Sequence, residues 1–472
     1  MKLWKKLLAL GLALLLLPAT GRALEETPAP AEPAYNGWIV KLREDRPRAL
    51  SDLPQTSQQD LEVVTDNLLR TQNQALAQEL VDRGVAEYME PDYIATLCDL
   101  PAASPTATPC DGLWSYQDLQ GDYADGLGLT GRGVTIAVID SGYAPTANLA
   151  ARSVLEGWNY VNPGQPMTDN VGHGTMVLQT IVGRGDMGAC KGTAPDAKVL
   201  PLRCFADGFS TQASLLITAI EDAVNRYDCQ VLNMSWMIQE SKALEEALLK
   251  AQAKGMTLVA AAGNTGSYPS GCVNFDTIVY PAAYSCVLGV GATNCAQQLW
   301  EDGVRAVSCS VTAPGENIVF SGKLAGSVVR QTGTSFAAPA VSGVAALLHQ
   351  LCPGISNQSV QEALIQRAEP QTWTDGTKTF PFRRVRLEKL LGTSWGHLSP
   401  QEAEGWLRQP GKTVLAASYS SSGQLVDCQL QQSHRAISGF SLPLTEGSAQ
   451  TKLFWLDGAQ SPLLPCTTFP QA

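Results

Sequence analysis

From residue 134 onward, short apolar runs alternate with longer segments of helical period, and no other feature restricts the fold as strongly. Residues 134–140, 198–205, 230–236, 257–264 and 287–293 read as buried strands, and residues 210–226, 241–254 and 334–350 read as helices. Strands apolar on both faces and separated by helices imply an α/β fold with a doubly wound, mostly parallel sheet. Ligands of such sheets bind beyond the carboxyl ends of the strands, so side chains placed there are the first candidates for function.

The rest of the chain has its own organisation, as 472 residues exceed one ordinary core. Lys2, Lys5 and Lys6 precede the apolar run 7–17, and Gly21-Arg22-Ala23 supplies small residues where a signal peptidase cuts. Residues 1–23 therefore read as a signal peptide rather than a transmembrane anchor, since about eleven apolar residues cover roughly half a bilayer. Residues 24–105 read as a small α+β unit of β-α-β type. It has a strand at 37–42, one or two amphipathic helices within 58–83 carrying Leu69, Ala75, Leu76 and Leu80 on one side, and an extended tail at 88–97. A Pro-, Ala-, Ser- and Thr-rich linker follows at 98–110. The α/β domain takes residues 106–392, and residues 393–472 read as a small antiparallel β module. Its strands are expected at 413–420, 423–432, 437–444 and 451–457, with turns at Ser421-Ser422-Gly423 and Glu446-Gly447. Its aromatics Tyr419, Phe440, Phe454 and Trp455 read as core. A net charge of −11 argues against nucleic acid as a partner, because phosphate binding needs a basic face.

Export permits disulfides among the twelve cysteines. Cys190 and Cys204, Cys272 and Cys286, and Cys295 and Cys309 each differ by 14 positions. Loops closed this way would each add on the order of 3 kcal/mol in the chain-entropy description. Free buried thiols are the alternative. With no Cys-x-x-Cys pair, no zinc site is expected.

Asp140 ends the run Val138-Ile139-Asp140-Ser141-Gly142 and so stands at the carboxyl end of a strand. His173, in Gly172-His173-Gly174-Thr175, opens a helix; His349, His397 and His434 lack such a setting. Ser335 lies in the first turn of the helix 334–350, within Gly333-Thr334-Ser335-Phe336-Ala337-Ala338-Pro339. Unpaired N–H groups and the positive end of the dipole there suit a developing oxyanion. Pro339 is expected to be tolerated because early helical N–H groups have no intrahelical partner. Asn264 ends the strand 257–264 and is either a second oxyanion donor or a turn asparagine. A carboxylate, an imidazole and a hydroxyl in the order Asp, His, Ser match one of the orders known for a serine-peptidase triad. The pattern Gly126-x-Gly128-x-x-Gly131 precedes a strand instead of following one, so it is not read as a dinucleotide site, and no G-x-S-x-G elbow surrounds any serine.

These segments, together with Ala260-Ala261-Ala262-Gly263-Asn264, resemble the motifs of the subtilisin-like serine peptidases (subtilases, peptidase S8) in family order. The resemblance implies a subtilisin-like fold and a secreted serine endopeptidase, extracellular or cell-surface associated and of bacterial origin. It implies an acyl-enzyme route with Asp140, His173 and Ser335 as the triad and Asn264 as oxyanion donor. Ser235, Trp236, Met237, Ala262 and Gly263 would line the cleft. Protein or peptide substrates, a monomer and no cofactor or metal are expected; residues 183–191 lack the asparagine-rich loop that binds calcium in some relatives. The N-terminal unit resembles the family's inhibitory (I9-like) proregion at Trp38-Ile39-Val40-Lys41-Leu42 and Glu87-Tyr88-Met89-Glu90-Pro91-Asp92. It would plug the cleft and be cut by the enzyme itself; a Cys98–Cys110 bond would keep it tethered. Met176, Phe336 and Ala340 replace common family residues at packing positions, and Met237 stands where small residues are usual and would narrow the primary pocket. The rival expectation is an exported binding or adhesion protein that keeps the scaffold with an occluded cleft.

Overall fold

The computed structural model describes residues 34–44, 59–98, 110–265, 273–324, 326–374, 376–399, 401–446, 448–457 and 467–470. The expected signal peptide, most of the linker, Cys272 and Gly447 lie outside the described residues.

Strands β1 (Tyr35–Leu42), β2 (Glu62–Thr65), β3 (Leu68–Thr71) and β4 (Ala86–Leu97) pair antiparallel in the order β4-β1-β3-β2. The helix Gln74–Asp82 buries Leu76, Ala77 and Leu80 in a cluster with Val40, Leu42 and Leu69. One or two helices were expected within 58–83; among the described residues Gln59 and Gln74–Asp82 are helical while β2 and β3 occupy the stretch between them, and the unit is not β-α-β. Val63-Val64-Thr65 favours extended backbone and Asp66-Asn67 favours a turn, so the first half is a hairpin. Leu69 shares a helical stripe with Leu76 and Leu80 by number alone; it reaches their cluster from a strand.

The next strands are β5 (Thr135–Asp140), β6 (Trp158–Asn159), β7 (Lys198–Arg203), β8 (Ser210–Gln212), β9 (Val231–Met234), β10 (Trp236–Met237), β11 (Thr257–Ala261), β12 (Leu288–Thr293), β13 (Val311–Pro314), β14 (Ile318–Ser321), β15 (Val328–Gln331), β16 (Glu369–Thr374) and β17 (Thr379–Arg384). Nine of them form one sheet in the order β16-β17-β13-β12-β11-β9-β5-β7-β6, parallel except for the β16–β17 edge. Alternate residues of β5 serve two cores, Ile136 and Val138 on one face and Ala137 and Ile139 on the other, as the two-residue strand period requires. The run expected at 230–236 divides at Ser235: β9 stays in the sheet and β10 turns to pair with β4. The helix expected from 210 begins at Ala213, because Ser210–Gln212 is used in pairing with β4. Through the middle of the domain runs the helix Thr334–Leu351, buried at every position from 334 to 349.

The C-terminal module is larger than the four expected strands. Strands β18 (Trp395–Leu398), β19 (Glu402–Arg408), β20 (Thr413–Tyr419), β21 (Leu425–Gln432), β22 (Ile437–Pro443), β23 (Gln450–Leu456) and β24 (Thr467–Pro470) make two sheets, β18-β19-β22 and β21-β20-β23-β24. Their shared core holds Leu398, Leu407, Val414, Phe440, Leu453 and Trp455. Of the four aromatics read as core, Phe440 and Trp455 are buried, while Tyr419 and Phe454 are half-buried. Among the described residues no helix is long and apolar enough to cross a membrane.

Two of the three pairings expected from spacing are not formed, and the third involves Cys272, outside the described residues. Cys110 bonds Cys295 across 185 positions, which leaves neither the Cys295–Cys309 nor the Cys98–Cys110 pairing and removes the tether. Cys190 and Cys204 are separate buried thiols, and burial pushes the Cys190 thiol up to about 12, out of the reactive range. A bond joining distant chain segments leaves no spacing signal.

His349, in the last turn of the buried helix, hydrogen-bonds through Nε2 to Thr257 Oγ1 at 2.9 Å. Burial lowers its pKa from 6.5 to about 4. A histidine held neutral in this way stabilises the fold fully above its unfolded pKa, and that contribution is lost as pH falls from 6.5 towards 4, in the limit roughly 3 kcal/mol. Urea unfolding of the wild type and of His349→Gln at pH 7 and pH 4 is therefore expected to show a smaller acid-side loss in the variant.

Candidate active site

Asp140 is the last residue of β5, and its Oδ1 lies 2.7 Å from Nδ1 of His173, the first residue of the helix His173–Val182. A carboxylate only accepts, so Nδ1 carries the proton and Nε2 faces away with its lone pair. The close approach depends on Gly174, where a methyl group would lie 2.5 Å from the Gly142 carbonyl oxygen and 3.2 Å from Asp140 Oδ1. Asp169 holds this corner together. Its Oδ1 accepts from the Gly172 N–H at 2.6 Å and the Ser141 hydroxyl at 2.9 Å, and its Oδ2 accepts from the Thr175 N–H at 2.9 Å and the Thr175 hydroxyl. Ser141 Oγ in turn accepts from the Gly174 N–H at 2.9 Å. A carboxylate capping the first turn from outside fixes where the imidazole starts. Sequence alone does not single out Asp169, although an acidic residue a few positions before a helix start is the available signal.

Ser335 is the second residue of the buried helix. Pro339 is the sixth helical residue and so lies past the unpaired N–H groups of the first turn where it was expected; an N–H there would have bonded the carbonyl of Ser335. The missing donor leaves that carbonyl to accept from Ser235 Oγ at 2.9 Å. Ser235 Oγ accepts from Asn233 Nδ2 at 2.9 Å, and Asn233 Oδ1 accepts from Ser342 Oγ at 3.0 Å. The residue between β9 and β10 is thus bonded to the main chain of the serine.

Asn264 follows β11. Its Oδ1 accepts from the Thr334 N–H at 3.0 Å and the Thr334 hydroxyl at 2.7 Å, which turns Nδ2 towards Gly333 and Ser335. A methyl group at residue 333 would lie 3.0 Å from Ser335 Oγ, 3.2 Å from Asn264 Nδ2 and 3.7 Å from the Ser335 backbone nitrogen. A hydroxyl and two nitrogens therefore converge on the space that Gly333 leaves empty. Asp140 and Asn264 are 1% exposed, and His173 and Ser335 are fully buried. Among the described residues, His173 Nε2 and Ser335 Oγ are buried without a hydrogen-bond partner, so no hydrogen bond joins them. The two halves still adjoin, as the ring of Phe336 packs 5.6 Å from the imidazole.

Beside this corner, β4 lies between two strands of the α/β domain. Leu97 pairs with Trp236 and Thr96 with Met237 on one side; Ile94, Ala95 and Thr96 pair with Gln212, Thr211 and Ser210 on the other. The Cys98 N–H donates to the Ser235 carbonyl at 3.3 Å. Two carboxylates of this strand cap helices of the domain. Glu90 accepts from the Ser241 hydroxyl at 2.7 Å and from the N–H groups of Lys242 and Ala243 at 3.0 and 3.1 Å. Asp92 accepts from the Ser214 N–H at 2.9 Å and hydroxyl at 2.8 Å, and pairs with Arg70 at 2.7 Å. Burial pushes both carboxyls up, and these hydrogen bonds oppose the shift. Neither role is evident from Glu90-Pro91-Asp92 as text, beyond the fact that residues two apart on a strand share a face. Ala262 and Gly263 are buried between β11 and Asn264, alongside Met237.

Residues 131–397 match the subtilase family. The minor extracellular protease Epr of Bacillus subtilis (strain 168) is 34% identical over 253 residues, 53% of this chain and 37% of that protein. M-protease of Shouchella clausii (strain KSM-K16) is 33% identical over 255 residues, 53% of this chain and 63% of its own. Subtilisin Savinase of Lederbergia lenta is 32% identical over 255 residues, with 89% of its length matched. A crystal structure of a cold adapted subtilisin-like serine proteinase superimposes with a TM-score of 0.48 at 27% identity, over 55% of this chain and 90% of that one. The chain thus spans about a third to two thirds of the first two relatives. With the family match covering more than half of the chain and including Asp140, His173, Asn264 and Ser335, this protein is a member of the subtilase family.

Proposed function

We propose that this chain is a secreted serine endopeptidase that cleaves protein or peptide substrates and is made as a precursor covered by its own N-terminal unit. Ser335 Oγ attacks the scissile carbonyl carbon, and His173 takes the hydroxyl proton at Nε2 and returns it to the leaving amine. Asp140 holds the imidazole and stabilises its charged form. Water then releases the acyl group from Ser335. Asn264 Nδ2 and the Ser335 N–H hold the oxyanion. The observation that carries this reading is the convergence of Ser335 Oγ, Asn264 Nδ2 and the Ser335 nitrogen on the space at Gly333. A 2.7 Å bond from Asp140 to His173 supports it, and the tilted contact of Phe336 with the imidazole puts the two halves side by side. Secretion is supported by residues 1–23 as text and by the extracellular protease named among the relatives. We assign residues 24–105 as an inhibitory propeptide-like domain, 106–392 as catalytic domain and 393–472 as an appended β module.

Met237, buried in the cleft, and the docked β4 favour a second reading, a binding protein with an occluded cleft. Casein digestion after trypsin activation decides between the two: products establish the peptidase, and their absence from an enzyme freed of residues 34–98 establishes the binder.

On the peptidase reading, Ser335→Ala abolishes self-cleavage and labelling by a serine-directed phosphonate; processing that persists in the variant refutes the assignment. Asn264→Ala is expected to lower kcat by about 10² to 10³ with KM nearly unchanged in steady-state assays. Glu90→Ala removes three hydrogen bonds to a charged acceptor at a helix start. A loss of about 1.5 to 3 kcal/mol would raise the inhibition constant of the excised N-terminal unit roughly tenfold to hundredfold.

A further inference from the structure

The pairing of β4 with β10 fixes which residue of the tail meets Ser335 and how much room its side chain has. Leu97 opposes Trp236 and Thr96 opposes Met237, so one step further opposes Cys98 to Ser235, and the Cys98 N–H bonds the Ser235 carbonyl at 3.3 Å. Ser235 Oγ donates to the carbonyl of Ser335 at 2.9 Å. Cys98 is therefore linked to Ser335 by two hydrogen bonds through Ser235.

Directly opposed residues of an antiparallel pair project to the same face, and faces alternate along each strand. Cys98, Ser235 and Met237 consequently share a face, while Leu97, Ala95 and Trp236 share the other. The buried cores agree, with Cys98 and Met237 in one and Ala95, Leu97 and Trp236 in the other. On the Cys98 face Met237 is fully buried. Its Sδ lies 3.1 Å from where a methyl group on Gly263 would stand, with Val279 Cγ2 at 3.0 Å and Val304 Cγ2 at 3.2 Å. Gly263 is the neighbour of Asn264, so these three side chains fill the space beside the oxyanion position. A diagonal neighbour on a paired strand is within reach of a side chain as long as methionine.

We propose that Met237 restricts the cleft to small side chains immediately ahead of the scissile bond, such as alanine, serine or cysteine, and that the precursor cuts itself after Cys98. The inference rests on the peptidase reading and names its substrate class. In the self-cleavage, Ser335 Oγ bonds to the Cys98 carbonyl carbon while its proton passes to His173. The Cys98 C–N bond breaks and His173 gives the proton to the departing Asp99 amine. Water adds to the ester, leaving Cys98 with a carboxylate and Ser335 with its hydroxyl.

The test uses the full precursor with Cys98→Ala, Cys98→Phe and Cys98→Phe/Met237→Gly, followed by a peptide library on the processed enzyme. Wild type and Cys98→Ala are expected to process at rates within about threefold and to yield a chain starting at Asp99. Cys98→Phe should slow processing at least tenfold, and adding Met237→Gly should recover at least tenfold of it. In the library, cleavage after Ala, Ser or Cys should exceed cleavage after Phe or Leu at least tenfold, and Met237→Gly should shift that ratio tenfold towards Phe. Unimpaired processing of Cys98→Phe at the same bond, an N-terminus elsewhere, or a library preference for large residues overturns the proposal while leaving the peptidase reading intact. A wild type that neither processes itself nor cuts any library member removes both. A misfolded Cys98→Phe precursor leaves the library ratio as the deciding measurement.

Discussion

A helix buried along nearly its whole length has no water to satisfy the N–H groups of its first turn or a carbonyl deprived of its partner. In the helix Thr334–Leu351 those groups must be met by side chains, and the groups that meet them build the site. Asn264 accepts from Thr334 and in doing so aims its amide at Ser335. Pro339 removes one donor, and Ser235 supplies another from the junction of β9 and β10. Ser335, Asn264 and the segment joining β9 to β10 are thereby locked to one another by backbone accounting instead of by a separate scaffold.

Charge organises the contact between the N-terminal unit and the rest in the same way. Glu90 and Asp92 enter the positive ends of the helices Lys242–Ala253 and Ala213–Asn225, where unpaired N–H groups await an acceptor. The spacing of two residues puts both carboxylates on one face of β4, and the same strand runs on to Cys98. The carboxylate caps and the pairing with β8 and β10 thus lie along one strand.

What could be read from the text is what is local. Gly172-His173-Gly174-Thr175 and Gly333-Thr334-Ser335 carry their geometry within a few residues, so the helix starts and the order Asp140, His173, Ser335 were legible, as were the five buried strands of the sheet. Residues 58–83 misled because Leu69, Leu76 and Leu80 fit a helical period that the β-branched run at 63–65 contradicts. Asp169, Ser141 and Asn233 act through bonds to partners that only folding brings near, and β18 and β19 gave too little alternation to stand out beyond Leu391.

Cys110 and Cys295 lie on either side of most of the strands that make the sheet. A ring of that size removes the freedom of 185 positions at once, worth about 5 kcal/mol in the chain-entropy description. It closes only after synthesis has passed the middle of the chain, and only where thiols are oxidised. Production in a reducing cytosol would thus yield an otherwise identical polypeptide with an unbuckled belt, whose durability would reflect the host's redox chemistry rather than its sequence.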